Sequence, residues 1–175
     1  MGRQIRDMVV AITGASAGIG KALAEQLSAG GARLALCARR VEKLEELNRA
    51  LGCGHLIVKT DVAERADCEA FVAKTIERFG RIDTLVANAG YGLYRLTHEM
   101  DGDDVRRMFA TNVFGTTDLI HAAVPHMMKQ DFRLGDKVRG QIMIVSSAAA
   151  RRGVPYLGPY AATKAAQLSI AEALR

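Results

Sequence analysis

The sequence predicts an α/β fold, in which helices cover both faces of a parallel sheet. Five apolar runs, each the length of a strand, alternate along the chain with segments of helical periodicity. Such alternation implies right-handed crossovers between parallel strands, with a helix in each connection. A glycine-rich turn directly follows the first run, and polar residues follow the others. Candidate ligand-binding groups are therefore expected at the carboxyl edge of the sheet.

The elements can be assigned in order along the chain. The predicted strands are residues 8–13, 33–38, 55–60, 82–87 and 141–145. The predicted helices are residues 21–29, 41–51, 64–79, 103–129 and a last one from Tyr160 to Leu174. Pro125 predicts a kink or break in the fourth helix. Residues 130–140 form a predicted polar loop, and residues 148–159, which contain Gly and Pro, are predicted to cross the carboxyl end of the sheet.

Length and composition fit a single domain spanning residues 1–175. Hydrophobic residues make up 49% and charged residues 25% of the chain, so a packed core is expected rather than disorder. No apolar run approaches the length of a membrane span, and the N-terminus lacks the apolar core of a signal peptide. We therefore expect a cytoplasmic protein without a membrane partner. The net charge of +5 is dispersed, which does not favour a nucleic-acid partner.

Three cysteines, Cys37, Cys53 and Cys68, form no recognisable pairing or metal motif. They are odd in number, and neither a Cys-x-x-Cys spacing nor a histidine cluster accompanies them. We expect reduced, mostly structural thiols and no bound metal.

The turn after the first strand has the chemistry of a phosphate-binding site. Gly14, Gly18 and Gly20 permit a tight turn and let the backbone approach a ligand closely. The free N–H groups at the start of the following helix attract a phosphate. A plain turn is the alternative, but the strand in front of the glycines favours a dinucleotide site.

The end of the second predicted strand favours NADP over NAD. An acidic residue there would hold the 2′-hydroxyl of NAD, and here that position is Ala38. Arg39 follows it and offers a planar cation to a 2′-phosphate. The alternative is an arginine at a helix start, exposed to solvent.

Tyr160 and Lys164 form the candidate for proton transfer. They stand four residues apart in the last predicted helix and therefore project from the same face. A neighbouring cation favours phenolate and lowers the pKa of the phenol towards the range useful for catalysis. An ordinary helix carrying one Tyr and one Lys is the alternative.

Together these motifs resemble the short-chain dehydrogenase/reductase family. They occur in the family's order: the Thr-Gly-x-x-x-Gly-x-Gly turn at residues 13–20, Asp61-Val62, Asn88-Ala89-Gly90, Asn112, Ser147 and Tyr160-x-x-x-Lys164. The resemblance covers essentially the whole chain. It implies a Rossmann-like doubly wound sheet, which makes the chain a dinucleotide-binding domain.

The resemblance also implies catalytic roles for four residues. Tyr160 would be the general acid in carbonyl reduction or the base in alcohol oxidation. Lys164 would lower the pKa of Tyr160 and bind the nicotinamide ribose, while Ser147 would donate a hydrogen bond to the substrate oxygen. Asn112, a poor helix former inside the fourth predicted helix, would hold a water that links Lys164 to solvent.

A larger set of residues would contact the cofactor. The glycine turn would carry the pyrophosphate, Asp61 the adenine, and Asn88 would brace the central strand. The implied cofactor-binding residues are Gly14, Ser16, Gly18, Ile19, Gly20, Arg39, Asp61, Val62, Asn88, Ala89, Gly90, Tyr160 and Lys164. Ala17 departs from the pattern, because the family's NADP-binding members often carry a basic residue in that turn.

The predicted function is hydride transfer between NADP(H) and a carbonyl or secondary alcohol substrate. The alternative is a non-enzymatic NADP(H)-binding module or an inactive truncated paralogue. Members of the family are longer, with a sixth and a seventh strand and a substrate-covering segment. We therefore expect the chain to be part of a longer protein or a proteolytic fragment, rather than a naturally shortened paralogue.

The resemblance further implies a homodimer or homotetramer formed through the helices that contain Asn112 and Tyr160. Tyr91, Tyr94 and the loop of residues 148–157 are candidates for lining the substrate pocket, although packing alone would also explain the tyrosines.

Overall fold

The computed structural model describes residues 4–133 and 137–174. Five parallel strands form one sheet in the order β3-β2-β1-β4-β5. The strands are β1 (Val9–Thr13), β2 (Arg33–Ala38), β3 (Leu56–Lys59), β4 (Thr84–Ala87) and β5 (Gln141–Ile144). The strand order reverses between β1 and β4, which creates the crevice where ligands of doubly wound sheets bind. The predicted fold class is thereby confirmed.

Among the described residues, six α-helices accompany the sheet: α1 (Gly18–Ala29), α2 (Val41–Ala50), α3 (Arg65–Phe79), α4 (Gly102–Phe109), α5 (Gly115–Lys129) and α6 (Gly158–Ala173). A π-helical turn, Ala110–Phe114, joins α4 to α5, and short 3₁₀ segments occupy Thr97–Glu99 and Ala148–Arg151. Within the described part of the chain, no helix has both the length and the apolar character needed to cross a membrane.

Two hydrophobic clusters hold the helices on opposite faces of the sheet. On one face, Leu44 of α2 packs with Ile12 of β1. On the other, Phe71 of α3 and Leu119 of α5 pack with Ala11. All five residues of β1 are buried, as expected for a central strand covered on both faces.

The predicted boundaries differ from the observed ones by a few residues at element ends, where helices and strands fray. Of the predicted kink or break at Pro125, the break is wrong, because α5 continues through the proline as one helix; the kink stays a prediction. Buried Leu119, Ala123 and Met127 hold α5 against the core before and after the proline. Part of the predicted loop 130–140, residues 134–136, lies outside the described residues.

At the amino end of the sheet, the fully buried Asp83 is the centre of a cluster of charged side chains. Its Oδ2 accepts a hydrogen bond from the Val9 N–H (2.8 Å), and its Oδ1 accepts one from Arg81 Nε (2.8 Å). The Nε atom of Arg133 lies 3.9 Å from Oδ2. Beside this cluster, the side-chain amide of Gln130 accepts from the Ile82 N–H (3.1 Å) and donates to the Ile82 carbonyl (2.9 Å).

Candidate active site

The glycine turn brings the end of β1 against the end of β4. Gly14 has a φ of +66°, and a Cβ there would lie 2.9 Å from the Ala89 Cα. A Cβ on Gly20 would lie 2.6 Å from Asn88 Nδ2. Gly18 (φ +56°) differs, because a Cβ there would meet no described atom within 4 Å. The outer two glycines therefore permit close packing, whereas Gly18 borders open space.

Asn88 ties β4 to β1 through side-chain hydrogen bonds. Its Nδ2 donates to the Thr13 carbonyl (2.8 Å), and the Thr13 hydroxyl accepts from the backbone N–H groups of Asn88 (3.1 Å) and Ala89 (3.0 Å). The predicted bracing of the central strand thus has a direct physical basis, since both strand ends are fixed to each other.

A cavity of about 590 Å³ opens at the carboxyl end of the sheet, over the β1–β4 crevice. Most of the predicted cofactor-binding residues line it: Gly14, Ser16, Gly18, Ile19, Arg39, Asp61, Val62, Asn88, Ala89, Gly90, Tyr160 and Lys164. Gly20, Asn112 and Ser147 are not part of this lining. The structure thus gathers residues from both halves of the chain around one cavity.

Two arginines border the cavity at the end of β2. Arg39 Nη1 lies 3.9 Å from Asp61 Oδ2, with 70% of the arginine side chain exposed. Arg40 Nη2 donates a hydrogen bond to the Ser16 hydroxyl at 3.1 Å. Ala38, the last residue of β2, is 8% exposed and brings no charge. Arg39 and Arg40 therefore place positive charge at the end of β2, beside the glycine turn, and we call these two residues the cationic corner.

Lys164 is buried beneath the cavity, with only 4% of its surface exposed. Its Nζ lies 5.8 Å from the centroid of the Tyr160 ring, so the predicted pair does share one face of α6. The ammonium donates to the Val145 carbonyl (2.9 Å) and to Oε1 of Gln167 (2.8 Å). Burial lowers the pKa of Lys164 from its ordinary value.

Asn112 lies in the π-helical turn and is fully buried. Its side chain makes two hydrogen bonds to the Tyr91 backbone, accepting from the N–H (3.0 Å) and donating to the carbonyl (2.8 Å). It also donates to the Thr163 hydroxyl of α6 (3.0 Å). A π-helical turn is common at functional sites, and here it lets one amide join three elements.

The two serines after β5 point to different partners. Ser147 is the N-cap of the 3₁₀ segment Ala148–Arg151, and its hydroxyl accepts from the Ala149 N–H (3.2 Å). Ser146 lines the cavity, and its hydroxyl donates to the Lys164 carbonyl (2.9 Å). The predicted role of Ser147 stays a prediction.

The segments after β4 and β5 both line the cavity, the first through Tyr91 and Gly92 and the second through Val145 and Ser146. Tyr91 lines the cavity, whereas Tyr94 stacks on Tyr156 with ring centroids 4.9 Å apart. The N–H of Arg95 donates to the Tyr156 carbonyl (2.9 Å). The two loops considered for substrate binding are thus in contact, although Tyr94 is 73% exposed.

Residues 8–175 match the profile of the family described as short chain dehydrogenase. The chain belongs to this family, whose members include the named dehydrogenases and oxidoreductases below. The 11-beta-hydroxysteroid dehydrogenase-like protein 4A of Arabidopsis thaliana is 38% identical over 177 residues, covering 98% of this chain and 56% of the relative. An uncharacterised oxidoreductase of Listeria monocytogenes is 36% identical, covering 98% of this chain and 67% of the relative. The chain thus spans about half to two thirds of the length of these curated relatives.

Solved structures of other short-chain dehydrogenases share the fold. One from Burkholderia phymatum, in complex with NAD, has a TM-score of 0.91 at 28% identity, covering 99% of this chain and 60% of that chain. An alcohol dehydrogenase from the archaeon Thermococcus sibiricus, complexed with 5-hydroxy-NADP, has a TM-score of 0.86 at 33% identity, covering 97% and 70%. Because these relatives bind different nicotinamide nucleotides, their similarity does not choose between NAD and NADP for this chain.

Several residues of the short-chain dehydrogenase site were not predicted from the sequence. Arg40 lines the cavity beside Arg39, and its position next to Arg39 in the sequence could have indicated this. Gln167 contacts Lys164, and its spacing of three residues on the same helix face could have indicated this. Ser146 was passed over because the family motif points to the neighbouring serine.

The cysteines take no part in the site. Cys37 and Cys68 are buried, and burial raises the pKa of both thiols, which keeps them protonated and unreactive. Cys53 is exposed. Across residues 4–133 and 137–174, no group of three or more His, Cys, Asp or Glu side chains could hold a metal ion.

Proposed function

We propose that the chain is the dinucleotide-binding part of an NADP(H)-dependent oxidoreductase that acts on a carbonyl or secondary alcohol. One observation carries the proposal: the cavity over the strand-order reversal is lined both by the glycine turn and by Tyr160 with Lys164. When bound, the nicotinamide would supply or accept the hydride. The protein's own task is then to fix geometry and to move one proton.

The residues present fit a dinucleotide. Helix α1 begins at the cavity without a side-chain cap in the described structure, and its first turn contains no acidic residue. Its first N–H groups therefore lack helical acceptors and are free to bind a pyrophosphate. The open space around Gly18 leaves room for that approach.

The cationic corner supports NADP as the preferred cofactor. With Ala38 in place of an acid, no carboxylate at the end of β2 would repel a 2′-phosphate. Arg39 and Arg40 would neutralise it, and Arg40 is already oriented by Ser16. Arg39 is also near Asp61, the residue proposed to hold the adenine.

Replacing Arg39 with Ala tests this preference. We expect NADPH affinity to fall about tenfold or more and NADH affinity to change little, because only the phosphate contact is lost. Fluorescence titration with each nucleotide measures both affinities, and Arg49→Ala, at an exposed position of α2, is the matched control. An equal loss for both nucleotides would contradict the assignment.

The proton would move at the Tyr160 hydroxyl. The Lys164 ammonium would attract the negative charge of the Tyr160 phenolate, and the burial of Lys164 would strengthen that attraction. Ser147 would donate to the substrate oxygen, and its hydroxyl could do so while still accepting from the Ala149 N–H. Asn112 would hold the loop after β4 against α6 through its amide contacts.

Tyr160→Phe tests the oxidoreductase proposal. Removing the hydroxyl should reduce turnover about 10²- to 10⁴-fold, while NADPH binding stays near the wild-type value. A panel of ketones, aldehydes and secondary alcohols is assayed by NADPH absorbance. Unchanged turnover would exclude Tyr160 as the acid. NADPH binding without any turnover in the full-length wild type would favour the non-enzymatic binding module.

We also propose a homodimer or homotetramer that associates through α5 and α6. Phe114, just before α5, is 59% exposed, an apolar group that association would cover. The mass of the full-length protein by light scattering checks this assembly.

A further inference from the structure

Gln167 is a fully buried side chain one turn after Lys164 on α6. Its Oε1 accepts from Lys164 Nζ at 2.8 Å. Its Nε2 donates to the Asn112 carbonyl at 2.7 Å and to the Thr116 hydroxyl at 3.0 Å. A single amide therefore links the ammonium beneath the cavity to the π-helical turn.

The orientation of this amide follows from its partners. An ammonium can only donate, and a carbonyl can only accept, so Oε1 must face Lys164 and Nε2 must face Asn112. The Thr116 hydroxyl donates to the same Asn112 carbonyl (2.8 Å) and therefore accepts from Gln167. Both polar atoms of the Gln167 side chain therefore have hydrogen-bond partners. If the amide were flipped, its NH₂ would face the Lys164 ammonium, two donors together, and its oxygen would face the Asn112 carbonyl, two acceptors together.

Among residues 4–133 and 137–174, Lys164 takes part in no ion pair, and its hydrogen-bond partners are the Val145 carbonyl and Gln167 Oε1. The ionisable group near Lys164 on its own helix is Tyr160. The residue after β5 presents a carbonyl, the π-helical turn presents the Asn112 amide, and the loop after β4 presents Gly90. Asp61, Arg39, Arg40 and Tyr91 share the cavity. Of the two hydrogen bonds that Lys164 Nζ donates, one therefore goes to the Gln167 side chain.

We propose that Gln167 is a positioning residue for the proton transfer at Tyr160, holding the Lys164 ammonium in place and coupling it to the π-helical turn. This inference rests on the proposed function. The resemblance implies a water, held by Asn112, that links Lys164 to solvent, whereas here the side-chain amide of Gln167 bridges the Asn112 carbonyl and Lys164. An amide does not exchange protons as water does, so the link positions Lys164 rather than conducting protons.

The test replaces Gln167 with Leu, and with the unbranched Met in case Leu impairs folding. Full-length protein labelled with ¹³Cε-lysine is titrated by NMR, and the Lys164 signal is assigned from Lys164→Met. Losing one acceptor should lower the pKa of the Lys164 ammonium further, because the buried cation then has one stabilising hydrogen bond fewer.

Gln130→Leu is the matched control, because it removes a similar amide at the opposite end of the sheet. It should lower stability without moving the Lys164 titration. With any substrate found in the panel, Gln167→Leu should lower kcat with little change in KM and move the alkaline limb of the kcat profile to lower pH, because Lys164 then loses its proton at lower pH. A Lys164 titration identical in wild type, Gln167→Leu and Gln167→Met would overturn the proposal. A wild type without turnover would refute the proposed function instead, and the NMR titration would still decide the role of Gln167.

Discussion

The two ends of the sheet bury charged side chains in opposite ways. At the amino end, fully buried Asp83 faces two guanidinium groups and a backbone N–H. At the carboxyl end, Lys164 is almost as deeply buried, yet its bonded partners are a carbonyl and an amide, both neutral. One buried charge is compensated and the other is not.

From this difference we predict a stabilising role for the amino-end cluster and a catalytic role for the carboxyl-end one. A buried ion without a counter-ion is unfavourable by several kcal/mol unless hydrogen bonds and a later partner compensate it. Such an arrangement is typical of functional sites, where a locally unfavourable group is retained for its chemistry. The amino end should therefore control stability and the carboxyl end turnover.

Lys164→Met should give the largest effect on turnover. Removing the cation beside Tyr160 should lower kcat about 10²- to 10⁴-fold. The free energy of unfolding should stay within about 1 kcal/mol of wild type, because relief of the buried charge offsets the acceptor left unpaired on Gln167. Steady-state assays and urea unfolding measure the two quantities.

Lys74→Met, at an exposed position of α3, is the control and should leave both values near wild type. A large loss of stability in Lys164→Met with normal turnover per folded molecule would show that the lysine is structural. The contrast between the two ends would then be lost.

Asp83→Asn should give the largest effect on stability. Asparagine keeps the shape and an acceptor for Val9, but Arg81 and Arg133 lose the carboxylate that balances them. These guanidinium groups are partly exposed, so we expect a loss of about 3 kcal/mol, near the lower bound for broken buried pairs. Urea unfolding measures it, and turnover per folded molecule should be retained.

Asp103→Asn tests whether burial causes that loss. Asp103 also pairs with an arginine, Arg106 at 2.8 Å, but both side chains are more than three-quarters exposed, at 76% and 78%. Its replacement should change the unfolding free energy by less than about 1 kcal/mol. Equal losses in the two variants would mean that burial is not what distinguishes Asp83.

The sheet and the glycine turn could be predicted because their signals are local in sequence. Apolar runs such as 8–13 and the adjoining glycines specify a strand and a turn without knowledge of distant residues. The Asp83 cluster could not be predicted, since Val9 and Arg133 come from remote parts of the chain.

The same reasoning explains the partial prediction of the candidate site. The Tyr160–Lys164 spacing is a property of one helix, so its shared face was predictable. The contact of Gln167 with Asn112 depends on how α6 packs on the π-helical turn, which no local pattern encodes. Pro125 misled the prediction because tertiary packing of α5 outweighed a local helix-breaking preference.

His55 gives the smallest expected effect and tests the amino end by pH. It immediately precedes β3, where its Nδ1 accepts from the Leu34 N–H (3.3 Å) and its Nε2 pairs with the Ser28 hydroxyl (2.9 Å). Because Nδ1 accepts, the neutral ring carries its proton on Nε2. Burial lowers the pKa of His55 below its ordinary value of about 6.5.

The unfolded chain therefore takes up this proton at higher pH than the folded protein does, so stability should fall as pH drops below about 6.5. Protonation removes the Leu34 hydrogen bond, a loss of about 1 kcal/mol, while turnover per folded molecule should not follow this titration. Urea unfolding at about pH 5.5 and about pH 7.5 measures the slope. His55→Leu should flatten it, and His98→Leu, at an exposed position of the 3₁₀ segment Thr97–Glu99, should not. If His55→Leu kept the wild-type slope, the acid sensitivity would belong to other groups, and the amino end would not respond to pH through this histidine.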